Sequence, residues 1–89
     1  MPLYAIRREI PGLSREELDA AALRAIMCLF DFPDMRWLRS YWDEKLGVIE
    51  CVYEAQDPDQ IRDHARRSRI PCDEVRQVTE IGPEQYLNA

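Results

Sequence analysis

Apolar and polar positions alternate with a period of two over residues 48–55, and residues 3–10 read as a first strand. In the alternating run Ile49, Cys51, Tyr53 and Ala55 share one face, and Val48, Glu50, Val52 and Glu54 share the other. Two further strands are predicted: the aromatic-rich stretch 35–42 and residues 74–81. Between them the period changes to that of a helix. Leu18, Ala21, Ala22, Ala25, Ile26 and Leu29 form one inward stripe, and Ile61, His64, Ala65 and Ser68 form another.

The breaks agree with this division. Pro11-Gly12 ends the first strand, and Ser14-Arg15-Glu16-Glu17 fits a capping box, with Leu13 and Leu18 placed as a hydrophobic staple. The small alanines allow the first helix to lie close on its sheet. Pro33 closes that helix region, and Gly47 suits a positive-φ position at the end of the hairpin turn 43–47. Asp57 is a good N-cap for the second helix, Pro58 fits its first position, and Ile70-Pro71 stops it. The order β-α-β-β-α-β, with right-handed crossovers, predicts an α+β ferredoxin-like sandwich: a four-stranded antiparallel sheet with two helices on one face. The domain is expected over 1–82, with a short tail over 83–89.

Such an architecture leaves the other sheet face bare. Val48 and Val52, with Trp37 and Tyr41 if the hairpin register allows, are the apolar candidates there. A homodimer through that face is expected, since a monomer seldom exposes a large apolar patch. In that register Arg39 and Glu50 become cross-strand neighbours.

Composition narrows the classes. The chain has 89 residues, 33% of them charged, with a net charge of −5, which suits one modest globular core. No basic stripe interleaved with aromatics is present, so no nucleic-acid partner is expected; Arg62, Arg66, Arg67 and Arg69 read as a solvated helix face. No apolar run approaches the ~20 residues that span a bilayer, and no leader pattern precedes Leu3, so neither a membrane partner nor export is expected. Cys28, Cys51 and Cys72 are odd in number and widely spaced, which agrees with a cytoplasmic setting.

Most of the chemistry-bearing residues lie between Cys51 and His64, the single histidine. His64 lies about 9 Å along its helix, matching about three residues back down the preceding strand. It is therefore expected over Tyr53 and Cys51, with Glu54 on the opposite face unless a bulge reverses the parity. Imidazole and thiolate suit a divalent transition metal, with Glu54 as a third ligand. The plainer alternative has His64 donating to a backbone carbonyl or Tyr53, with Cys51 a small buried apolar residue. Glu54, Arg39, Glu50 and Tyr41 form a second group, readable as a polar pocket or as a charge network that fixes register. Cys72 is expected to be exposed and oxidisable. No serine triad and no glycine-rich phosphate loop is present.

Several segments together resemble a family of small bacterial ferredoxin-like proteins, long treated as a domain of unknown function and labelled nickel-binding. They are the Met-Pro-Leu-Tyr opening, Pro11-Gly12-Leu13-Ser14, Trp37-Leu38-Arg39-Ser40-Tyr41, Cys51-Val52-Tyr53-Glu54-Ala55, His64-Ala65-Arg66 and Ile70-Pro71-Cys72-Asp73-Glu74-Val75. The resemblance covers nearly the whole chain. It implies nickel as the ion and adds weight to the metal reading in a sequestration or sensing role, with His64 as primary ligand, Cys51 as second and Glu54 as a candidate third. Where relatives often carry glycine before the Ile/Leu-Pro step, this chain has Arg69. Two rival readings stand beside it. One is a small-molecule enzyme of the dimeric α+β type, with His64 or Glu54 as general base and Tyr41 or Tyr53 orienting the substrate. The other is a non-catalytic interaction module.

Overall fold

The computed structural model describes residues 1–87. Strands β1 (Leu3–Glu9), β2 (Arg36–Asp43), β3 (Val48–Glu54) and β4 (Glu74–Val78) form one sheet in the order β2-β3-β1-β4, each pair antiparallel. Helices α1 (Arg15–Cys28) and α2 (Pro58–Ser68) cover the face carrying Tyr4, Ile6, Ile49, Cys51 and Tyr53, which is the expected ferredoxin-like sandwich. A single 3-10 turn (Leu29–Asp31) follows α1, and one helical turn, α3 (Glu84–Leu87), lies in the expected tail, of which Asn88 and Ala89 fall outside the described residues. β4 stops three residues short of its predicted end.

Local chemistry accounts for the helix starts. The Ser14 side chain accepts from the Glu17 amide while Glu17 accepts from the Ser14 amide, so the capping box is complete. Those bonds hold the Glu17 carboxyl below its usual range. Asp57 accepts from the Gln60 amide at the start of α2, as its sequence position predicts.

The β2 register departs from simple alternation. Trp37 lies opposite Tyr53, but Arg39 lies opposite Val52, so Leu38 is an extra residue in a β-bulge. Trp37 therefore faces the helices, stacked on Tyr53 with ring centroids 6.3 Å apart, and only Tyr41 faces outward. Arg39 is not opposite Glu50; Tyr41 takes that place. The outward face is more charged than expected. Arg36 pairs with Glu54, and Arg76 with Glu74, and a groove is lined by Leu3, Leu38, Tyr41, Val52, Val78 and Ile81 together with the charged Arg39 and Glu80.

The two helices pack differently. On α2 the predicted stripe Ile61, His64, Ala65 and Ser68 is fully buried. On α1 only Ala25 is buried; Leu18, Ala21 and Ala22 are half-buried and Ile26 is exposed. The small side chains have not drawn α1 onto the sheet. They leave a space beneath it.

Candidate functional site

Three elements meet at the centre of the molecule. α2 delivers His64, 1% exposed, over Tyr53 of β3, with ring centroids 5.6 Å apart. Phe32, just after the 3-10 turn, closes the other side edge-on at 5.7 Å. The His64 Nε2 sits 2.9 Å from the Ala25 carbonyl of α1. A carbonyl can only accept, so Nε2 carries the proton. Burial pushes the His64 pKa below its ordinary value; the Ala25 bond opposes that, and Arg8 adds to it.

Arg8 is the residue that the sequence reading missed. It lies on the helix-facing side of β1, opposite Ile49, and is only 2% exposed. Its Nε donates to Cys51 Sγ at 3.4 Å and its Nη1 to the Pro71 carbonyl at 2.7 Å. Neither partner is a carboxylate. The signal was present, because Tyr4, Ile6 and Arg8 share one strand parity. Burial also raises the Tyr53 phenol above its ordinary pKa, an effect that Arg8 partly offsets.

Of the proposed ligands, His64 and Cys51 lie on the same side of the sheet, as expected. Glu54 lies on the other, its carboxylate 3.8 Å from Arg36. Among the described residues no three His, Cys, Asp or Glu side chains are grouped so as to hold a metal ion. The inner pair fits an ion poorly on chemical grounds too. One imidazole nitrogen is committed to Ala25, and the guanidinium bonded to Cys51 repels a divalent cation. Within one chain, among the described residues, His64 and Cys51 are brought together without a third His, Cys, Asp or Glu beside them.

The other candidates are also scattered. Tyr41 is 61% exposed on the outer face, whereas Tyr53 is sealed within the core. Cys72 is half-buried and packed against the core rather than exposed, and burial raises its pKa. The space beneath α1 is lined by Arg8, Ser40, Cys51, Trp37 and Trp42, with α1 alanines as its roof. Neither His64 nor Glu54 lines it, so neither is placed as a base for a substrate held there.

Comparison with known proteins places this geometry. The profile of one family, described as nickel responsive protein SCO4226-like, matches residues 4–78. The chain belongs to that family. Its description ties the family to nickel and names no residue of this chain. Among solved structures, that of SCO4226 from Streptomyces coelicolor A3(2) superposes with a TM-score of 0.80 at 16% identity. The match covers 90% of this chain and 99% of that one, and at this identity it speaks for the fold. No curated protein matches. Among the described residues, no helix is long and apolar enough to cross a membrane.

Proposed function

We propose that the protein serves a nickel response as a homodimer closed through its outer sheet face. In this reading it sequesters or senses the ion with donors shared between subunits, not with His64. The family description supports the link to nickel. The observation that carries the rest is the division of candidates by the sheet: the inner pair is committed to Ala25 and Arg8, while Glu54, Glu50 and Tyr41 stand on the outer face. That face also offers a groove of mixed character, with Arg39 and Glu80 beside its apolar residues, which a second copy can cover while pairing charges about a two-fold axis. The three cysteines are free, which suits a reducing cytoplasm.

The test couples assembly to metal. Sedimentation should give a dimer, and nickel should bind to the dimeric fraction. Tyr41→Glu places a charge in the groove and should lose both dimer and nickel binding; Glu54→Gln should weaken nickel binding while leaving the dimer. A monomer at high concentration that still binds nickel would contradict the proposal.

A further inference from the structure

We propose that the space between α1 and the sheet is a binding site for a small apolar or aromatic carboxylate, with Arg8 as its counter-charge. The space measures about 260 Å³ and lies against Trp37, Trp42 and Ile49 of the sheet, with Ala21 and Ala22 of α1 on its helix side. It exists because the α1 residues facing the sheet are too small to fill it. That volume lies at or just below the lower end of the usual range for ligand sites, which suits a single ring or a short chain with one polar end.

The class of ligand follows from Arg8. A guanidinium withdrawn from water costs free energy unless an opposite charge meets it. The hydrogen bonds of Arg8 run to a thiol and a carbonyl, with the Tyr53 hydroxyl also within its reach, and these neutral groups satisfy N–H groups without balancing the charge. A guanidinium presents five N–H donors in a planar fork matched to a carboxylate, and Arg8 borders the space together with the Ser40 hydroxyl and the Cys51 thiol. The indole N–H of Trp37 is already bonded to Ser40 Oγ at 2.9 Å, so the tryptophan side of the wall is apolar in character. The one carboxylate on the lining, Asp19, sits on the exposed side of α1 and is paired with Arg15 at 3.0 Å. A ligand with an apolar body and one anionic end therefore complements both parts of the wall. A neutral ligand leaves the buried charge as it was, and a cationic one adds to it.

The experiment uses the chain's own fluorescence, because both of its tryptophans line the space. Phenylacetate and hexanoate are titrated against their neutral counterparts, phenylacetamide and hexanamide. The acids should alter tryptophan emission saturably and bind about tenfold or more tighter than the amides. Ala22→Leu fills the space from α1 without touching Arg8, and should abolish binding while circular dichroism stays unchanged. Arg8→Met should bring acid and amide to equal affinity. Should Arg8→Met fail to fold, the comparison of acid with amide, together with Ala22→Leu, still decides. Equal binding of acids and amides by the unaltered chain would overturn the counter-charge. No saturable response to either acid, or binding undiminished in Ala22→Leu, would overturn the site.

Discussion

The His64 Nε2–H donates to the main-chain carbonyl of Ala25 over 2.9 Å, so the single imidazole of the chain ties the second helix to the first. A histidine placed this way is part of the core, and its chemistry shows in stability.

The pH dependence follows from the direction of its shift. Burial lowers the folded-state pKa of His64 below its unfolded value of about 6.5, so the unfolded chain takes up the proton first. The contribution is complete above pH ~6.5 and is lost as pH falls below it, by up to about 1.4 kcal/mol per pH unit until the folded-state pKa is reached. Urea unfolding at a series of pH values should show this slope in the native chain, and His64→Gln should flatten it.

Replacing His64 by Ala removes the bond to Ala25 and opens a void between Tyr53 and Phe32. Together these should cost about 2–4 kcal/mol. Denaturant unfolding at pH 8 measures this, and a loss below ~1 kcal/mol would mean the ring is not packed as described.

Arg69 ends α2 with φ 58° and ψ 45°, a left-handed conformation that a side chain disfavours. Its amide still closes the helix by reaching the Ala65 and Arg66 carbonyls. Arg69→Gly should raise stability by about 0.5–1 kcal/mol, read as an increase in unfolding midpoint at unchanged slope.

Gly47 has φ 66°, and its carbonyl accepts from the Ile10 amide at 2.7 Å. A Cβ there would lie 2.6 Å from the Pro11 Cα, a main-chain atom with little freedom to yield. Gly47→Ala should therefore cost about 2 kcal/mol or more. Gly12 is also at positive φ, 78°, but a Cβ there meets nothing within 4 Å, so Gly12→Ala should cost less.

The fold was legible because its punctuation is strong. The capping box at Ser14, the Asp57-Pro58 start and the alternation through Tyr53 each have a local cause, and each was found where predicted. The β2 face was not legible, since one extra residue at Leu38 reverses the parity between Trp37 and Tyr41 without leaving a mark in composition. The space under α1 was hidden for a different reason. Alanines at helical spacing are compatible both with close approach to a sheet and with a gap, and only tertiary packing chooses between them. Arg8 was readable from its parity with Tyr4 and Ile6, yet an arginine next to Arg7 looks like surface. For the candidate ligands, sequence order brought His64 and Cys51 to one side correctly. What it did not reveal was that Ala25 and Arg8 had already engaged them.

The central claim is that the core histidine is structural and any nickel is bound elsewhere. Long-range proton–nitrogen NMR of the imidazole, recorded with and without stoichiometric nickel, tests it most directly, since the chain holds only one histidine. The account predicts a neutral Nε2–H ring whose nitrogen resonances keep their positions when nickel is added. Displacement of either ring nitrogen on adding nickel, with the protein still folded, would place the ion in the core and contradict it.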